Sequence, residues 1–170
     1  MRIRLTIDGE PRGKERPKFS SRGKYVQAYT PERTVGYEER VREEYSRQYQ
    51  APIFGSGEVW ATVTAYFRLP KSHYRYSKRS GETRIDDEGQ KMLSGWKNPT
   101  RKPDTDNIAK ICLDALNGVA YEDDSQVTVL LVLKKWSERE RVEIVLETPA
   151  TMDYRDLEEP KVNLKTNKKA

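Results

Sequence analysis

Lys102-Pro103-Asp104-Thr105-Asp106-Asn107-Ile108-Ala109-Lys110-Ile111-Cys112-Leu113-Asp114-Ala115-Leu116-Asn117-Gly118 is the stretch on which the reading of the chain turns. Ile108, Ile111, Cys112 and Ala115 recur at i, i+3, i+4 and i+7, the spacing of one apolar helix stripe. The helix begins at Asp104 or Thr105, and Asn117-Gly118 supplies its stop. Asp106 and Lys110 lie four apart and share a face. Glu122-Asp123-Asp124 follows directly after the helix ends.

Working outward, Ile3, Leu5 and Ile7 alternate with polar neighbours, so residues 2–8 read as a strand. Thr34 opens a charged helix to about Gln50, with Val35, Glu38, Val41, Arg42 and Tyr45 on its inward stripe. Its polar make-up predicts a cover over one sheet face. Val59 to Leu69 reads as a strand with Val59, Ala61, Val63, Ala65 and Phe67 on one side, stopped by Pro70. Val127–Lys134 and Arg141–Glu147 read as two more strands, joined across Trp136–Glu140 as a hairpin. The order β-α-β-α-β-β predicts an α+β (mixed α/β) domain over residues 1–148, with two helices on one face of a mixed sheet. Residues 149–170 read as a polar, mobile tail.

Composition narrows the partners. The 170 residues are 35% charged and 35% hydrophobic, enough for one domain with a lean core. A net charge of +5 favours a polyanion only where it clusters. It clusters twice. The turn-rich loop from Gly9 to Pro31 carries Arg12, Lys14, Arg16, Lys18, Arg22 and Lys24 against Glu10 and Glu15. The long, weakly periodic loop from Lys71 to Lys102 carries nine Lys or Arg, among them Lys97, Arg101 and Lys102, against four acids. Unstructured loops of that length inside a domain are functional or disordered. The lone Cys112 forms no internal disulfide, which fits a reducing cytoplasm. No apolar run approaches the roughly 20 residues of a membrane span, and Met1-Arg2-Ile3-Arg4-Leu5 is no signal peptide.

The acids admit two readings. In the plain one, Asp104 caps the helix, Asp106 suits its first turn, and Asp106–Lys110 is a surface pair of about 0.3–0.5 kcal/mol. In the other, the doubled Asp-x-Asp, the amide of Asn107 and the returning acids after the helix hold a hard divalent cation, which takes oxygen ligands. Several alternatives fail. An EF-hand starting at Asp104 needs Gly and Glu where Ala109 and Ala115 stand. An aspartyl-phosphatase Asp-x-Asp follows a hydrophobic strand, and Trp96–Pro103 is not one. There is no GxxxxGK loop. The only histidine, His73, reads as a solvated loop residue, and Cys112 reads as core. Tyr74, Tyr76 and Trp96 either stack on bases or pin the long loop to the core.

Lys102–Lys110, then Asp114-Ala-Leu-Asn-Gly118, then Asp123-Asp124-Ser-Gln-Val127, together with Gly9-Glu-Pro-Arg-Gly-Lys14-Glu-Arg16-Pro17 and Thr30-Pro31, resemble the RusA family of Holliday junction resolvases. The resemblance covers roughly residues 3–147, is nearest to the Gram-positive branch, and points to a family common in prophages. It implies a homodimer that nicks opposed strands of four-way junction DNA in recombination and repair. It implies Asp104, Asp106 and Asp124 as catalytic acids holding Mg²⁺ or Mn²⁺, with Asp123 as an alternative ligand, and Lys110 as the catalytic lysine. Lys14, Arg16, Lys18, Lys97, Arg101 and Lys102 are then expected on DNA phosphates. Two other classes stay in view: a DNA-binding accessory protein of the same fold, and a Mg²⁺-dependent enzyme on small nucleotides. The acid-and-lysine set argues against the first, and the long basic loops against the second.

Overall fold

The computed structural model describes residues 1–22, 25–49 and 52–149; the expected tail from residue 150 on, and Lys24, lie outside the described residues. In chain order the elements are β1 (Arg2–Asp8), β2 (Lys18–Arg22), β3 (Tyr25–Tyr29), α1 (Glu32–Gln48), β4 (Val59–Arg68), β5 (Tyr74–Ser77), β6 (Glu82–Ile85), α2 (Asp87–Leu93), α3 (Thr105–Leu116), β7 (Val127–Ser137) and β8 (Arg141–Glu147).

Four strands form one mixed sheet in the order β1-β8-β4-β7. β8 runs antiparallel to β1 and β4, and β4 runs parallel to β7. The mixed α+β class expected from the sequence holds. The expected hairpin does not, because β7 and β8 never pair and β4 lies between them. Residues 138–140 cross the end of β4, a step of about 10 Å that three linking residues can span. β4 earns its central place by being buried on both sides: Ala61, Val63, Ala65 and Phe67 face one way, Trp60 and Thr64 the other. The parallel β4–β7 pair needs a crossover, and α3 lies on that connection.

The core lies under two helices. Ile3, Leu5 and Ile7 sit beside Leu146, Ile144 and Val142 in register. Tyr37, Val41 and Tyr45 from α1 and Ile108, Ile111, Cys112 and Ala115 from α3 join the same cluster. α1 packs on β1 and α3, and α3 packs on β4 and β7. The inward stripe of α1 differs from the expected one. It is Thr34, Tyr37, Glu38, Val41 and Tyr45, while Val35 is exposed and Arg42 is half-buried beside Glu38. Pro31 at the cap starts α1 two residues earlier than expected.

Both long loops contain structure. β2 and β3 form a hairpin inside the first. β5, β6 and α2 lie inside the second. Asp86 ties that second segment together. It accepts from Gly89 N at 2.9 Å, meets His73 Nδ1 at 2.9 Å and pairs with Arg75 at 3.2 Å. His73 is therefore a partnered, half-buried residue rather than a solvated one. The capping bond from Gly89 and then His73 hold the Asp86 carboxyl below its ordinary range. Cys112 is core, as expected, and burial pushes its thiol up to about 12, which removes it as a nucleophile. Among the described residues, no helix is long and apolar enough to cross a membrane.

Candidate active site at the start of α3

Asp104 stands at the N-cap of α3 with extended backbone, yet its exposed carboxylate takes no capping hydrogen bond. Asp106 is exposed two residues on, within the first turn, with the Asn107 amide nitrogen at 3.4 Å. Lys110 is exposed, and among the described residues it forms no ion pair. Of the plain reading, the first-turn place of Asp106 holds, but there is no Asp104 cap and, among the described residues, no Asp106–Lys110 pair. The helix instead presents two carboxylates to solvent at its positive end, with the Lys110 ammonium one turn further along.

The segment ahead of Asp104 is fastened by a residue that sequence reasoning passed over. Lys134 on β7 donates from Nζ to the carbonyls of Arg101 and Pro103, the latter at 3.1 Å, and lies 5.4 Å from the Phe67 ring. Burial lowers its pKa, while the Asp104 carboxylate pulls the other way. Lys134 pairs in register with the buried Ala65, so it falls on the inward side with Val132 and Trp136. A lysine on the apolar side of a strand was the available signal.

A second strap comes from the loop after β1. A Cβ on Gly13 would lie 2.8 Å from Pro103 Cβ and 3.0 Å from Asn107 Cβ, so only glycine lets this loop lie on the helix start. Lys14 N donates to Asn107 O at 2.8 Å. The Lys14 ammonium pairs with Glu38 on α1 and, at 2.9 Å, with Asp114 on α3. Loop and helix enclose a groove of about 440 Å³, lined by Arg12, Lys14, Lys102, Asp104 and Asn107 among others.

The other basic candidates divide. Arg16 and Lys18 are exposed, and Lys102 lines the groove. Lys97 lies 3.9 Å from Glu88. Arg101 stacks over Phe67 at 5.1 Å and Trp136 at 5.4 Å. Trp96 is 86% exposed and Tyr76 65%, so neither pins its loop to the core.

The second acidic cluster lies elsewhere. Asp123 accepts from Ser125 N at 2.9 Å and caps the turn Asp124–Gln126. Those bonds from Ser125 hold its carboxyl below the usual range. Asp124 is exposed and has no such duty, which makes it the freer acid of the pair. The twelve residues of α3 rise about 18 Å, and the seven steps from Val127 to Lys134 span about 23 Å. The structure therefore gathers Asp104, Asp106, Lys110 and Lys102, and leaves Asp123 and Asp124 at the far end of α3. Among the described residues, no three His, Cys, Asp or Glu side chains come close enough to hold a metal. Asp104, Asp106 and the Asn107 amide oxygen still suit a hard cation, which keeps several waters and needs only one or two carboxylates from any one chain.

A family model described as Endodeoxyribonuclease RusA matches residues 8–147, from the end of β1 through β8. The Bacillus subtilis (strain 168) protein named Uncharacterized protein YqaN is 35% identical over 144 residues, covering 85% of this chain and 94% of that one.

Proposed function

The chain belongs to the RusA endodeoxyribonuclease family, and on that premise we propose that it resolves four-way DNA junctions by paired, metal-dependent phosphodiester hydrolysis. The observation that carries this reading is the uncapped, exposed Asp104 carboxylate beside Asp106 and Lys110, at the rim of a basic groove. Asp104 and Asp106 would hold Mg²⁺ or Mn²⁺. A bound divalent cation neutralises phosphate charge and lowers the pKa of its water. Lys110 sets a point charge beside the developing negative charge of the reaction. Lys102 and Arg16 draw the phosphate backbone in, and Lys134 holds the segment that presents Asp104. A DNA substrate fits the cytoplasmic location expected from the sequence.

Asp124 completes the acid set in a homodimer. β7 is an edge strand of eleven residues with Leu130 and Leu131 45% and 48% exposed, a long apolar edge that open sheets avoid leaving bare. Two copies pairing β7 antiparallel about Leu130–Leu131 set Val127 of one opposite Lys134 of the other. That brings Asp124 of the partner subunit toward the Asp104 end of α3. A two-fold pair then carries two matching sites, as two opposed nicks require.

The test uses pure protein with Mg²⁺, a labelled four-way junction and the matched linear duplex. Symmetric nicks in the junction, abolished by EDTA and by Asp104→Asn, Asp106→Asn or Asp124→Asn, are expected. Tight binding without cleavage would instead favour the accessory role, and turnover of mononucleotides the small-substrate enzyme. Full cleavage by all three Asn variants would sink the mechanism.

A further inference from the structure

α1 has a glycine in its interior that the fold does not ask for. Glycine is the weakest helix former after proline. Gly36 is not among the residues of positive φ, and a Cβ there would meet no atom within 4 Å. Neither backbone strain nor packing explains it. What Gly36 does is form one wall of a cavity of about 440 Å³ whose other walls are Arg12, Arg33, Tyr37 and Arg40.

That lining carries three guanidinium groups and no carboxylate. Arg40 is held in place, donating to the Asp8 carbonyl and lying 5.7 Å over the Tyr37 ring. Arg33 forms no ion pair among the described residues, and Arg12 pairs with Glu10 at 2.8 Å. The cavity on the other side of Arg40 is different: there Asp8, Glu43 and Glu44 balance Arg40 and Arg47. Arg12 also lines the groove that holds Asp104, so the arginine cavity adjoins the active site.

We propose that this cavity seats a backbone phosphate of the bound DNA other than the one being cut, on an arm leaving the groove. Planar guanidinium forks match phosphate oxygens in pairs. Gly36 leaves the helix surface bare, so a sugar-phosphate backbone reaches it without meeting a side chain. The phosphate displaces Glu10 from Arg12. Such a contact fixes the register and path of an arm without reading its sequence. The inference rests on the nuclease reading, since it names a second anchor for the same DNA.

Two variants test it, Gly36→Gln and Arg33→Gln, each assayed for four-way junction binding across a salt series without divalent metal, alongside thermal melting. Gly36→Gln fills the cavity while improving helix propensity. It is expected to melt at or above the wild-type temperature and to bind several-fold more weakly. Arg33→Gln is expected to flatten the log–log salt slope by about 0.9. Wild-type affinity in Gly36→Gln, or an unchanged slope in Arg33→Gln, overturns the proposal. A wild-type protein that binds junctions but never nicks them overturns the nuclease reading instead, and leaves this measurement interpretable.

Discussion

Lys134 donates from Nζ to the Pro103 carbonyl oxygen at 3.1 Å, and the next residue along the chain is Asp104. A charged donor on β7 thus sets where α3 begins and where its first carboxylate stands. Lys134→Met keeps the stem against Phe67 but releases the segment 101–103. Charged hydrogen bonds of this kind are worth about 1.5–3 kcal/mol when buried, so the half-buried Lys134 is expected to contribute about 1–2 kcal/mol of stability. Displacing a catalytic group by an ångström costs on the order of 10²-fold in rate, and single-turnover nicking should fall by about that much. Junction binding should change little, and Lys134→Arg should recover part of the rate. Wild-type nicking by Lys134→Met, with lowered stability, would reduce Lys134 to packing.

Lys14 was expected on DNA phosphates, and its ion pairs assign it first to the fold. It joins the loop after β1 to Glu38 and Asp114. Lys14→Met leaves the half-buried Asp114 carboxylate unpaired and the buried Glu38 held by Arg42 alone, a cost of about 1–2 kcal/mol between the surface and buried limits. Its effect on the salt dependence of DNA binding should be small, whereas Arg16→Gln should lower the slope by about 0.9. Burial by itself lowers the Lys14 pKa, but the hydrogen bonds and charges of Glu38 and Asp114 outweigh it and leave it above 10.5. A raised folded value means the contribution is fully present below 10.5 and fades as pH climbs through the folded value. The gap in urea midpoint between wild type and Lys14→Met should therefore be constant from neutral pH to about 10 and shrink above 10.5. A gap that widens with alkalinity would contradict the pairing.

Trp96 is 86% exposed on the segment between α2 and α3. Its truncation should leave stability within about 0.5 kcal/mol. Stacking on a base unpaired at the crossover is worth about 1–3 kcal/mol, so Trp96→Ala should bind a four-way junction roughly 5- to 150-fold more weakly. Binding to an intact duplex of the same length should be unchanged. Equal losses on both substrates would show that Trp96 does not reach an opened base.

What was legible in the sequence followed local periodicity. Ile3, Leu5 and Ile7 alternate and form β1; Ile108, Ile111, Cys112 and Ala115 repeat at helical spacing and form the inner stripe of α3. β2 and β3 were not legible, because Phe19, Val26 and Tyr29 are exposed and, among the hairpin side chains described, none is buried to impose an alternation. The insertion of β4 between β7 and β8 is non-local: a three-residue link reads as a hairpin unless something else claims the space. Trp60, on the opposite side of β4 from Ala61 and Val63, was the one hint that this strand is covered on both sides. The acids themselves stood out. Their division between the two ends of α3 follows from twelve residues of helix, a length the sequence already contained.

That division allows a decisive mixing experiment. Asp104→Asn and Asp124→Asn should each be inactive alone, and both should fold, since both carboxylates are exposed and neither makes a capping bond. If a site draws Asp104 and Asp106 from one chain and Asp124 from the other, a heterodimer of the two variants has one doubly damaged site and one intact site. Co-refolding equal amounts makes about half of the dimers mixed, and so restores about a quarter of the wild-type sites. Each restored dimer cuts a single strand, giving nicked junctions rather than resolved duplexes. If each site is built from a single chain, every site in the mixture lacks an acid and no nicking returns. The product on a denaturing gel therefore separates a shared site from a self-contained one without any structure of the complex.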